Sequence, residues 1–207
     1  MFTNIKVPVL ILSAPRTGST ALGRYIKNTC NIENISYFTE PQQVIGQYKL
    51  FKECFNSSKN YILKEHLHIF NREYSKSIVA AVMANSYKIR IYRKDFIKQV
   101  VSAYITYERN NQTQYVTASD LQISDTVDIN ITQLSHIIIN LKKWNNELAN
   151  SDISFDITTC YEDLGHLNLN ISGYYKTPQP LNYNELIVAA SNIAYDLNID
   201  PITTIPL

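Results

Sequence analysis

The chain has 207 residues, enough for one domain with a substantial core, and its 19 Lys and Arg against 18 Asp and Glu give a formal charge of +1. That balance argues against a polyanion-binding surface of the kind nucleic acid requires, so any anion site must come from a few cations placed together. Cys30, Cys54 and Cys160 form no CxxC, which argues against a disulfide framework or a cysteine metal site and points to a reducing, cytoplasmic setting.

Taken in order, Val7, Val9, Leu10, Ile11 and Leu12 read as a strand buried on both faces, too short for a signal-peptide core. The run stops at Ser13-Ala14-Pro15-Arg16-Thr17-Gly18-Ser19-Thr20, and from Thr20 to Lys27 the apolar Ala21, Leu22, Tyr25 and Ile26 recur at helical spacing. A turn between a buried strand and a helix start offers an anion backbone N–H groups and the positive end of the helix dipole. Gly18 lets the backbone come close, and Arg16, Thr17, Ser19 and Thr20 add side-chain donors.

Ile35 to Phe38 reads as a second strand closed by Thr39-Glu40-Pro41, followed by a helix from about Gln43 to Phe55. Tyr61 to His66 is the next strand. Its period-two alternation puts Lys64, His66 and His68 on one side and Leu63, Glu65 and Leu67 on the other. A weak helix over Glu73 to Ala84 leads to a strand from Tyr87 to Tyr92, then to the adjacent cations Arg93 and Lys94. Asp95 is suited to cap a helix whose apolar face is Phe96, Ile97, Val100, Val101, Tyr104 and Ile105, with Ser102 two turns along.

Residues 109–130 are polar, without a sustained helical period, and read as a long surface excursion; Tyr107 just ahead of it, with Tyr115 and Leu121, would supply an apolar wall for an acceptor. From Ile131, the residues Leu134, Ile137, Ile138, Leu141, Trp144 and Leu148 form one stripe of a long helix, in which Trp144 serves core packing. Ile153 to Thr159 is the last strand, ending in Tyr161-Glu162-Asp163-Leu164. A turn-rich segment and a helix over Asn182 to Leu197 close the chain, and nothing approaches a membrane span.

Strands alternating with helices predict an α/β domain over residues 1–207, a three-layer sandwich with a mainly parallel sheet. Right-handed crossovers would then bring Arg16, His66, Lys94 and Tyr161, each just after a strand, to one edge of that sheet.

The first turn fits the nucleoside-triphosphate P-loop, G-x-x-x-x-G-K-[ST], poorly, because the lysine of that pattern falls on Ser19. Its cation is Arg16 instead. Pro15-Arg16-Thr17-Gly18-Ser19-Thr20 resembles the phosphosulfate loop P-[KR]-[ST]-G-[ST]-T of the sulfotransferases that use 3′-phosphoadenosine 5′-phosphosulfate (PAPS). Lys64-Glu65-His66-Leu67 looks like their K-T-H-L segment, and Arg93 to Ser102 looks like their 3′-phosphate motif in its bacterial form, R-R-D-x-x-x-Q-x-x-S. Tyr161-Glu162-Asp163-Leu164 looks like their Y-E-D-L segment. In order and spacing these motifs resemble a small bacterial- or viral-type member of that family.

The resemblance implies a P-loop-like, phosphosulfate-binding α/β fold and metal-independent transfer of a sulfuryl group from PAPS to a small-molecule, glycan or peptide acceptor, leaving adenosine 3′,5′-bisphosphate. It assigns Pro15 to Thr20 to the 5′-phosphosulfate and Arg93 or Lys94, with Ser102 and Tyr161, to the rest of the nucleotide. His66 becomes the base, assisted by Lys64, with Glu65 its rival because some branches use a carboxylate. Aligning on Ser102 puts Lys94, not Arg93, in the register of the family's arginine. The glycine-and-basic segment that covers the nucleotide in relatives is replaced here by Tyr174-Tyr175-Lys176-Thr177, with Lys176 the candidate cation. The short chain implies an acceptor pocket that is open or completed by a second copy. Competing readings are a P-loop small-molecule kinase, disfavoured by Ser19, and a nucleotide-binding module without catalysis.

Overall fold

In the computed structural model, which describes residues 5–29, 35–39, 45–112, 126–166 and 179–202, five parallel strands form one sheet in the order β2-β3-β1-β4-β5. The strands are β1 (Val9–Ser13), β2 (Ser36–Thr39), β3 (Tyr61–His66), β4 (Tyr87–Tyr92) and β5 (Ile157–Cys160). Seven α-helices are described: α1 (Ser19–Thr29), α2 (Ile45–Asn56), α3 (Leu67–Glu73), α4 (Lys76–Asn85), α5 (Phe96–Gln112), α6 (Ile131–Ala149) and α7 (Tyr183–Asp196). A short 3-10 turn spans Glu162–His166.

Alternation along the strands divides the core. Val9, Ile11, Ile62, Ile89 and Ile91 pack with Leu22 and Ile26 of α1 on one face of the sheet. Leu10, Leu12 and Leu63 pack on the other against Phe51 of α2, Phe70 of α3, Val82 of α4 and Leu148 of α6. A third cluster lies between helices, where Val100 and Tyr104 of α5 meet Leu134 and Ile138 of α6 and Leu186 and Ala190 of α7. All five residues of β1 are buried, as a central strand covered on both faces requires.

Several sequence expectations shift. β3 and β4 match their predicted spans, whereas β5 begins at Ile157 rather than Ile153. The helix expected over Glu73 to Ala84 is α4, which starts at Lys76 because the chain is extended at Tyr74 and Ser75 and the Ser75 hydroxyl accepts from Ile78 N; α3, ahead of it, was not expected. His68 therefore lies on α3 and not on an extended strand. α5 runs through Gln112, four residues into the stretch read as excursion, which carries Tyr107 on the helix with its side chain exposed. Tyr115 and Leu121 fall outside the described residues, as does the segment Tyr174-Tyr175-Lys176-Thr177 with Lys176.

The connection after β1 leads to β2 on one side of the sheet, and the connection after β4 leads to β5 on the other. α1, which leaves β1, packs on one face of the sheet, and α6, in the connection from β4 to β5, packs on the other through Leu148. A crevice opens at the carboxyl ends of β1 and β4 where the connections part, the place at which open α/β sheets take their ligands.

Candidate functional site

The turn after β1 is held in an uncommon shape. Arg16 has φ 64° and Gly18 φ 79°, so left-handed residues flank Thr17 and turn the backbone sharply into α1. Gly suits this conformation, but for arginine it costs about 1–2 kcal/mol that its surroundings must offset. Thr17 is buried and its hydroxyl donates to Ala14 O at 3.0 Å, so this side chain braces the turn from inside. The N–H groups of the first turn of α1, from Ser19 on, have no acceptor within the helix and carry its positive dipole end.

Other segments grip the turn. Gln99 Nε2 donates to Pro15 O at 2.7 Å, Arg16 Nε donates to Ser102 Oγ at 3.0 Å, and Arg93 Nη1 reaches Arg16 O at 3.5 Å. The Tyr161 ring lies against Gly18, and the Arg93 guanidinium sits over the same ring, 4.9 Å from its centroid. A Cβ on Gly18 would lie 2.8 Å from Tyr161 Cε2 and closer still to its Cδ2. Thus Arg16, Gly18, Arg93, Ser102 and Tyr161, from four separate stretches, meet across the crevice between β1 and β4.

Lys94 goes elsewhere. Its side chain is exposed and pairs with Asp163 at 3.4 Å, and the charges of Cys160 and Asp163 raise its pKa. The backbone explains the divergence, because Glu162 accepts from both Lys94 N (3.0 Å) and Asp95 N (3.2 Å) and fixes the chain as it enters α5. Asp95 caps that helix by accepting from Lys98 N at 2.9 Å, as its sequence position predicts. Glu162 and Asp163 thus act on structure.

On the other side of β1, in-register pairing sets His66 beside Ser13, and Lys64 beside Ile11. Lys64 and His66 share a face, with Lys64 Nζ 3.3 Å from His66 Nε2. His66 Nδ1 lies 3.3 Å from both Ser13 O and Ser13 Oγ. A carbonyl only accepts, so the proton belongs on Nδ1, and Nε2 is left as the acceptor for Lys64. Ser13 Oγ in turn donates to Ser19 Oγ at 3.0 Å, which connects the imidazole to the turn. The rings of His66, His68 and Trp144 lie nearly parallel, the last two with centroids 4.2 Å apart.

Glu65 points to the opposite face, as alternation predicts. It is fully buried, with Oε1 accepting from His66 N at 2.8 Å and Oε2 from Tyr74 OH at 3.4 Å. Burial and the neighbouring carboxylate push the Tyr74 pKa up, so the phenol remains a neutral donor. Sequence reasoning singled out neither Ser13 nor Asn145 as site residues, and Gln99 entered it only as the glutamine of the 3′-phosphate motif, with no role given. Asn145 had a legible signal, a polar residue four after Leu141 and three before Leu148 on an apolar stripe.

A separate cleft of about 930 Å³, lined by Leu67, Met83, Ile139, Lys142, Lys143 and Ile153 among others, contains none of the site residues predicted from sequence. Among known proteins, no family model and no curated protein matches this chain.

Gly18→Ala should lower the unfolding free energy by at least about 1–2 kcal/mol in urea titrations, from the positive φ alone. In a Tyr161→Ala background the steric part should vanish and the loss become smaller. An equal loss in both backgrounds would show that the ring does not constrain the turn.

Proposed function

We propose that the protein is a PAPS-dependent sulfotransferase, transferring the sulfuryl group of the donor to a hydroxyl or amine of a small-molecule, glycan or peptide acceptor. The observation that carries this reading is the meeting of Arg16, Arg93 and Ser102 at the crevice between β1 and β4, with the Lys64–His66 pair beside the same strand. The resemblance of the four motifs to that family supplies the donor. In this reading the backbone N–H groups of residues 16–20 and the Arg16 side chain bind the 5′-phosphosulfate, with Pro15 shaping the turn. Arg93 is the better candidate for the 3′-phosphate, since it faces the turn while Lys94 pairs with Asp163 on the surface.

Sulfuryl transfer forms a bond between the acceptor oxygen or nitrogen and sulfur as the bond from sulfur to the 5′-phosphate oxygen breaks. That oxygen keeps the electron pair and leaves as adenosine 3′,5′-bisphosphate. Cations beside the leaving phosphate stabilise this charge, the role proposed for Arg16. The acceptor proton goes to His66 Nε2, which requires Lys64 Nζ to exchange its hydrogen bond to that nitrogen for one to the sulfonate. Glu65, bonded on the far face to His66 N and Tyr74, is a poor candidate for the base.

One observation favours a second reading, a nucleotide-binding module without catalysis: Lys64 and His66 are only 2% and 6% exposed. Bisphosphate binding without turnover in an acceptor screen using labelled donor sulfate would support it. Magnesium-dependent ATP binding would instead favour a kinase.

Calorimetry without magnesium should show adenosine 3′,5′-bisphosphate binding about 10- to 100-fold tighter than adenosine 5′-phosphate, the contribution of one charge-assisted contact. Equal affinities would refute the donor assignment. For the base, His66→Ala should lower turnover by about 100- to 10,000-fold with bisphosphate affinity nearly unchanged, and Glu65→Gln should leave turnover near wild type. The reverse pattern would transfer the role to the carboxylate.

A further inference from the structure

We propose that Gln99, backed by Asn145, is a positioning residue that holds the turn after β1 in its ligand-binding shape, an inference that rests on the donor reading above for its effect on binding. The turn cannot account for its own conformation, because Arg16 occupies a left-handed position that a non-glycine residue leaves unless something opposes it. Three bonds oppose it. Two come from one face of α5, where Gln99 and Ser102 are three residues apart and so lie one above the other. Gln99 takes the carbonyl of Pro15 and Ser102 the side chain of Arg16, so consecutive residues of the turn are fixed by one rigid helix. Arg93, just ahead of α5, reaches the carbonyl of Arg16.

Gln99 is the deepest of these contacts, with no exposed surface, and its amide is itself oriented. Asn145 Nδ2 donates to Gln99 Oε1 at 3.0 Å, which leaves Gln99 Nε2 directed at Pro15 O. Asn145 is 2% exposed, and its own Oδ1 has no hydrogen-bond partner. An amide buried with one oxygen unpaired is costly in a core where leucine would fit the stripe, so its retention calls for a role in orienting Gln99. The neighbouring Trp144 stacks on His68, so α6 supports the turn through one residue and the imidazole side through the next.

Releasing the clamp lets Arg16 relax to ordinary backbone geometry. The fraction of molecules with a competent turn then falls by the factor that opposes left-handed arginine, about 5- to 30-fold, and apparent donor affinity falls by the same factor. The test is hydrogen exchange of the Arg16 to Ser19 amides in the ligand-free protein, with calorimetry of adenosine 3′,5′-bisphosphate binding, in wild type, Gln99→Met and the double variant Gln99→Met/Asn145→Leu. The double variant replaces both amides by apolar groups of similar size and keeps the core packed. In each variant the turn should exchange about 5- to 30-fold faster, the strands should stay protected, and bisphosphate should bind more weakly by a similar factor. Unchanged exchange in the turn overturns the clamp, and so does loss of folding in both variants, which would mark the pair as core support. If wild type binds no bisphosphate, the donor reading fails while the exchange rates still decide the clamp.

Discussion

Ser13, Lys64, Glu65 and His66 end the central strands as polar groups, and all four are buried at 6% exposure or less. A parallel sheet covered on both faces tolerates this only where each group has a hydrogen-bond partner, since an unmade bond at such depth costs about 1–3 kcal/mol. The partners are mutual across neighbouring strands: Lys64 with His66, His66 with Ser13, Ser13 with Ser19, Glu65 with the backbone of His66 and with Tyr74. Parallel register sets which of them can meet, because it brings Ser13 beside His66. The chemistry proposed for this edge therefore depends on the same bonds that permit it to be buried.

The second requirement is a turn that no local preference would produce. Its left-handed Arg16 and Gly18 are held by Gln99, Ser102 and Arg93 on one side and by the Tyr161 ring on the other. All of these lie after strands β4 and β5. The division of connections at β1 and β4 opens the crevice into which they project, so sheet order and site share one origin. Rigid support from helices and strands is what a preorganised anion site needs, because donors that are already oriented need no rearrangement when charge develops.

Much of this was legible in the sequence, and the reasons differ by residue. Strand-to-helix transitions at Leu12 and Tyr92 are sharp changes of hydrophobic period, so the two cationic junctions could be located. Period-two alternation alone separates Lys64 and His66 from Glu65, and the fold agrees. The choice between Arg93 and Lys94 was not legible, because the chain there is neither strand nor helix and follows no period; Glu162, distant in sequence, sets it through Lys94 N and Asp95 N. Gln99 and Asn145 belong to the same class, since their pairing depends on how α5 and α6 pack. α3 was missed for a simpler reason: Leu67 and His68 continue the period-two alternation of β3, and seven residues are too few for a helical period to stand out.

In the proposed reading the turn between β1 and α1 binds the donor's 5′ group, with the 3′-phosphate beside Arg93 and Ser102. The most direct measurement is a crystal structure of the protein with adenosine 3′,5′-bisphosphate and no magnesium. The 5′-phosphate should lie about 2.7–3.2 Å from backbone nitrogens of residues 16–20 and the 3′-phosphate against the Arg93 guanidinium. Nucleotide seated instead in the cleft beside Lys142 and Lys143, with the turn empty, would contradict it.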